Sequence, residues 1–197
     1  EAVRWYRVAA DQGYAEAQHY LGVRYATGLG VTRDGAAAVR WYRLAGEQGH
    51  VRAQFNLGVI YDNGDGVPAD DEEAVRWYRL AADRGDARAK YSLGLMYADG
   101  TGVPADDAKA VYWYRLAAEQ GQVRAQFNLG VMYADGRGVP RDYRLAYMWF
   151  NLTVSRSAGE MRDRAAERRG RLRKQLTRSQ RAEAERLTRE WDAAHPR

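Results

Sequence analysis

Apolar positions along this chain recur with a helical period, and that pattern is itself copied at a fixed interval. In residues 50–85, Ala53, Leu57 and Tyr61 stand four apart, which is one stripe of a helix over about 51–62. Asn63-Gly64-Asp65-Gly66-Val67-Pro68 interrupts it. Gly64 suits the left-handed position after a helix C-terminus, and Pro68 cannot lie in a helix interior. A second helix is predicted from an N-cap at Asp70 to about Asp83, with Glu73 at the capping-box position. Ala74, Trp77, Tyr78, Ala81 and Ala82 share one face of it, and Arg76, Arg79 and Asp83 the other. Gly85 ends the helix.

The same unit recurs every 36 residues. Trp5, Trp41, Trp77, Trp113 and Trp149 keep that interval, as do Leu21, Leu57, Leu93 and Leu129 and the caps Asp34, Asp70, Asp106 and Asp142. Copies of one helix–loop–helix unit must bury their apolar faces on each other, so the predicted fold is an all-α solenoid. The expected organisation is helix B of a truncated repeat at 1–13 and four repeats at 14–49, 50–85, 86–121 and 122–157, followed by basic capping helices at 158–197. Gly22, Gly58, Gly94 and Gly130 fall in mid-helix, where glycine costs about 1 kcal/mol relative to alanine. A helix crossing too close for a side chain explains them, and Trp77 and its equivalents are the expected partners. The i,i+4 pairs Arg7–Asp11, Arg43–Glu47, Arg79–Asp83 and Arg115–Glu119 read as a solvated outer face. In the first copy, Thr32 and Gly35 replace the usual Pro and cap-following residue and are expected to loosen its loop.

Composition narrows the functional classes. There is no cysteine among the 197 residues, so no disulfide and no thiolate metal site. No apolar run is long enough to span a bilayer. The chain starts inside a repeat without Met, so upstream sequence, with a targeting segment and further repeats, is expected. Cytoplasm and periplasm both stay open. Residues 155–197 hold 13 Lys+Arg against 7 Asp+Glu, whereas the preceding repeats are nearly neutral. A neutral array argues against a nucleic-acid track along the solenoid. His19, His50 and His195 are isolated along the chain, and no H-E-x-x-H spacing occurs. The Gly-x-Gly elements lack the Lys-Ser/Thr of a phosphate loop and repeat with the fold as turns. No catalytic residue, metal site or cofactor is assigned, and the chain is not read as an enzyme.

The motifs Ala87-x-Ala89, Leu93-Gly94-x-x-Tyr97, Gly100-x-Gly102-Val103-Pro104, Ala110-Val111-x-Trp113-Tyr114 and Ala117-Ala118-x-x-Gly121 resemble the Sel-one-like repeat, a relative of the tetratricopeptide repeat. Close variants cover about residues 1–155. The resemblance implies a right-handed superhelix of antiparallel helix pairs and a role as a protein–protein interaction scaffold. A disulfide-rich bacterial branch of the family does not fit a chain without cysteine. The ratio of 28 arginines to 3 lysines points to a GC-rich bacterial source.

In related folds the A helices line the concave surface. Here their outward positions read Glu16 and Tyr20, Arg52 and Asn56, Arg88 and Ser92, and Arg124 and Asn128. By resemblance to tetratricopeptide grooves, Asn there holds a peptide backbone and Arg a carboxylate, so the expected partner is an extended, acidic protein segment. The alternative is that the asparagines bond neighbouring helices and the arginines are ordinary surface charges. A further helix is predicted over 158–176, with Met161, Ala165, Leu172 and Leu176 on one side. A last one follows a Thr177 N-cap with Gln180 completing the box, and carries Ala184, Leu187 and Trp191. The basic run Arg168, Arg169, Arg171, Arg173 and Lys174 serves as a charged cap face or, alternatively, contacts an acidic protein, nucleic acid or anionic membrane.

Overall fold

In the computed structural model, which describes residues 2–195, eleven helices follow one another with no strand among the described residues. Helices of A type are α2 (Ala15–Thr27), α4 (Val51–Asn63), α6 (Ala87–Asp99) and α8 (Val123–Asp135). Those of B type are α1 (Ala2–Asp11), α3 (Gly35–Glu47), α5 (Asp71–Asp83), α7 (Asp107–Glu119) and α9 (Tyr143–Arg156). Helices α10 (Gly159–Arg173) and α11 (Arg178–Ala194) close the chain. Glu1, Pro196 and Arg197, at the edges of the first and last expected segments, lie outside the described residues.

The helices group into two compact units, residues 1–89 with 100–104, and residues 90–99 with 105–197. In the first, Leu21, Leu57, Ala38, Ala45, Ala74 and Tyr78 form buried layers. In the second, Leu93, Leu129, Tyr114, Phe150 and Leu152 do the same, and Ala165, Leu172, Leu176 and Ala184 extend the core beyond the last repeat. The apolar stripe expected over 158–176 packs into this core, but α10 ends at Arg173, so Leu176 lies in the turn before α11. Thr177 caps α11 with a complete capping box through Gln180.

The repeated aspartates are N-caps. Asp34, Asp70, Asp106 and Asp142 accept backbone N–H bonds from Ala37, Glu73, Lys109 and Leu145 at 2.9–3.2 Å. Their own N–H groups donate to the carbonyls of Tyr25, Tyr61, Tyr97 and Tyr133, at the ends of the preceding A helices. This explains why Glu73 does not complete a capping box. With the Asp70 N–H already used, the Glu73 carboxylate accepts from the Trp77 indole at 3.0 Å and from Arg76. Buried Gln18, Gln54 and Gln126 each donate to a backbone carbonyl eight residues earlier, at the end of the preceding B helix.

Two sequence expectations change in three dimensions. The mid-helix glycines do not face the tryptophans. A Cβ on Gly22, Gly58, Gly94 or Gly130 would lie 2.4–2.7 Å from the ring of Tyr42, Tyr78, Tyr114 or Phe150, the residue after each Trp. The tryptophans occupy the adjoining column, whose burial varies from 2% exposure at Trp77 and 6% at Trp149 to 72% at Trp5. Second, Arg7, Arg43 and Arg115 do not turn to the acids four residues on. They donate to the hydroxyls of Tyr25, Tyr61 and Tyr133, 18 residues on and on the following A helix, so they tie helices together. At Gly35, where a loose loop was expected, a Cβ would come within 2.5 Å of the Gly66 Cα, so the two backbones nearly touch.

Candidate functional site

In each unit the candidate positions on the A helices adjoin aromatic rings. His19, Phe55, Tyr91 and Phe127 are spaced by 36 residues. Their rings pack against Tyr42, Tyr78, Tyr114 and Phe150 with centroids 5.6–5.9 Å apart. This row adjoins the predicted positions 20, 56, 92 and 128, but the reading of polar residues passed over it. The interval that revealed the tryptophans would also have revealed these rings.

In the first unit, Tyr20 stacks on Tyr6 at 5.2 Å. Asn56 Nδ2 lies 3.4 Å from His19 Nε2, and its side chain stands close to the Tyr42 hydroxyl. Burial raises the Tyr42 pKa to about 12, so the phenol stays protonated. Arg52 is exposed. Arg88 pairs with Asp86 at 2.6 Å and sits 4.1 Å from the centre of the Phe55 ring. Glu16 accepts a 2.9 Å bond from His50 Nε2, which holds its carboxyl below the usual range. The two histidines, isolated in sequence, stack at 4.5 Å.

His19 is 5% exposed, and its pKa is lowered to about 4, first by burial and then by His50. Arg52 and Arg88 push the same way, and Glu16 opposes them. Because the folded pKa lies below the unfolded one, this contribution is complete above about pH 6.5 and is lost as pH falls towards 4. Acidifying from pH 7 to 5 should therefore remove on the order of 2 kcal/mol through His19 alone. In His19→Tyr, which copies the Tyr91–Asn128 arrangement one unit on, the urea midpoint should change far less over that range. An equally steep loss in the variant would assign the acid sensitivity to other groups.

In the second unit, α6, α8 and α10 enclose an open cavity of about 490 Å³. Tyr91, Leu95, Phe127 and Met161 supply apolar surface, and Arg124, Asn128, Glu160 and Arg164 the polar groups. Burial raises the Tyr91 pKa, against the influence of Arg124 and Asn128, so its hydroxyl remains a donor. Asn128 lies close to the hydroxyls of both Tyr91 and Tyr114 and favours their charged forms. Both predicted asparagines thus reach a B-helix tyrosine and an aromatic residue of the preceding A helix. Ser92 is half-buried and does not line this cavity. Arg164 lies 5.3 Å from the Phe127 ring centre.

The basic run divides. Arg169 bonds Asn151 Oδ1 at 3.1 Å and, with Arg173, Arg178 and Arg181, lines a second cavity of about 550 Å³. Arg171 pairs with Glu167 on its own helix, while Arg168 and Lys174 are exposed. No helix among the described residues is long and apolar enough to cross a membrane.

A protective antigen of uropathogenic Escherichia coli with an SLR fold is 36% identical, with a TM-score of 0.86 over 98% of this chain and 41% of that one. A Sel1 repeat protein from Oxalobacter formigenes is 39% identical, with a TM-score of 0.76 over 80% of this chain and 65% of its own. The chain thus spans less than two thirds of either relative. An immunity protein from Pseudomonas aeruginosa, 19% identical with a TM-score of 0.53 over 99% of this chain and 74% of its own, shares the fold alone. No curated protein matches. Proteins with Sel1 repeats generally act as protein-interaction scaffolds, and their solenoid is typically non-enzymatic. The Sel1 repeat pattern matches residues 1–14, 15–50, 51–86, 87–122 and 123–154 without a gap, and the chain belongs to the Sel1 repeat family.

Proposed function

We propose that this chain is an interaction scaffold that holds an extended, acidic partner segment on the A-helix face of its second unit. The observation that carries the proposal is the 490 Å³ cavity, where Arg124 and Arg164 stand over an apolar floor of Leu95, Phe127 and Met161. An apolar side chain of the partner fills the floor, and a neighbouring Asp or Glu meets the two guanidinium groups. Fork-shaped guanidinium groups favour a carboxylate over a neutral group. Asn128, beside two tyrosine hydroxyls, offers its amide to a peptide backbone. In the first unit Glu16, Tyr20, Arg52, Asn56 and Arg88 occupy the same repeat positions and form a separate polar row. The rigid A helices present all these groups without a folding step, which limits the entropy lost on binding.

Peptides selected on the whole chain from a random display library test this reading. They are expected to be enriched in Asp or Glu beside an apolar residue. The double variant Arg124→Ala, Arg164→Ala should bind them about tenfold more weakly or worse, since losing a charged contact costs roughly 1.5–3 kcal/mol. Unchanged affinity would remove the face from consideration. A second reading rests on the four arginines around the other cavity, which form an anion site open to a phosphate-bearing ligand. Salt-dependent binding of a random-sequence oligonucleotide that is lost in Arg173→Ala, Arg178→Ala would favour it.

A further inference from the structure

We propose that Glu16, His19 and His50 form a binding site for a divalent transition-metal ion of the zinc class. One nitrogen of each ring and a carboxylate oxygen lie within 4.8 Å of one another. A tetrahedral zinc with bonds of about 2.0–2.2 Å sets its ligand atoms about 3.3 Å apart. His50 Nε2 and Glu16 Oε2 are already 2.9 Å apart. Glu16, whose side chain is 61% exposed, can turn to meet an ion, and the two near-parallel imidazoles must tilt towards it.

The second observation is an orphaned nitrogen. His19 is almost wholly buried, and its Nδ1 has no hydrogen-bond partner. Buried polar atoms without partners are rare, and a ligand is one explanation for them. Because Nε2 faces Asn56, Nδ1 is the nitrogen available to an ion. Turning the Asn56 amide over lets its oxygen accept from Nε2–H and leaves the Nδ1 lone pair free, giving the outer support a metal-bound imidazole needs. The ring's lowered basicity keeps it neutral, the form that binds metals. Two imidazoles and one carboxylate suit Zn²⁺, Ni²⁺, Co²⁺ or Cu²⁺ better than Mg²⁺ or Ca²⁺. A fourth position on the exposed side is left to water.

Two features oppose binding. Arg52 and Arg88 place positive charge near His19. His50 Nδ1 accepts the Ala53 N–H at 3.2 Å as the cap of α4, so Nε2 carries the ring proton. An ion on Nε2 moves that proton to Nδ1 and breaks the cap bond. The Ala53 amide therefore reports on the site.

The test is titration of the tag-free, chelator-stripped full chain with zinc chloride, followed by calorimetry and by amide and imidazole NMR. One ion per chain is expected, with shifts at both imidazoles and at the Ala53 amide. Glu16→Gln should weaken binding about tenfold or more, and His19→Tyr should abolish it. His195→Ala should leave it unchanged. If His19→Tyr fails to fold, the imidazole shifts in the unmodified chain decide instead. No uptake at millimolar zinc, or uptake that survives Glu16→Gln and His19→Tyr, would overturn the proposal. So would uptake that depends on His195.

Discussion

Phe150→Ala is expected to destabilise the protein by about 3–5 kcal/mol, measured as a drop in urea midpoint. Phe150 is fully buried at the centre of the second unit's core. It packs against Phe127, and it fills the notch left by Gly130, where a Cβ would stand 2.7 Å from its ring. Removing the ring leaves a cavity that rigid neighbouring helices close only in part. The notch makes a second part of the prediction. Gly130→Ala alone should be destabilising, because overpacking by about 1–3 kcal/mol outweighs the roughly 1 kcal/mol gained in helix propensity. In the Phe150→Ala background the clash is gone, and the same substitution should become neutral or stabilising. Additive effects in the double-mutant cycle would show that Gly130 and Phe150 are not partners.

Gly138→Ala is expected to cost roughly 3 kcal/mol or more through two separate causes. Gly138 has φ of +67°, a left-handed conformation that costs a residue with a Cβ about 1–2 kcal/mol. Its Cβ would also lie 2.2 Å from the Asp107 carbonyl oxygen, backbone that cannot swing aside as a side chain can. Overpacking of that kind adds about 1–3 kcal/mol. Gly121→Ala separates the causes, because φ is +81° there but nothing lies within 4 Å. It should show only the conformational cost. Gly170, inside α10 with open space around it, should gain about 1 kcal/mol as alanine. Equal losses at Gly138 and Gly121 in thermal or urea unfolding would mean that the loop-to-helix contact contributes nothing. That contact recurs, with Gly66 on Gly35 and Gly102 on Asp71, so the result bears on how the loops of successive repeats are held.

The local rules of helix formation were legible residue by residue. Asp70 caps, Gly64 terminates and Thr177 closes a capping box because these depend on a few neighbouring backbone groups. Leu57 and its equivalents fall in the core because a four-residue stripe fixes which side of a helix is apolar. The candidate site was legible only in part. Arg124 and Asn128 do line a cavity, and the aromatic floor of Tyr91 and Phe127 keeps the 36-residue interval, but Met161 and Arg164 come from α10, outside the repeat pattern. Arg43 reaching Tyr61, and Glu73 turning to Trp77, depend on which of several nearby groups a long side chain meets.

The sequence by itself determined that this protein is built of helical hairpins, where the caps and turns of the repeats fall, and that the leucine stripe of each A helix is buried. Those properties follow from short-range periodicity and capping, and the 36-residue interval repeats them often enough to be unmistakable. Only the tertiary structure decided that tyrosine and phenylalanine, rather than tryptophan, fill the glycine notches. The same holds for the stacking of His19 on His50 beside Glu16 across two repeats. Two adjacent aromatic residues on a helix differ by about 100° in direction, and periodicity does not say which one meets a neighbouring helix at its closest point. That depends on how the helices cross, which is set by all the packed side chains together.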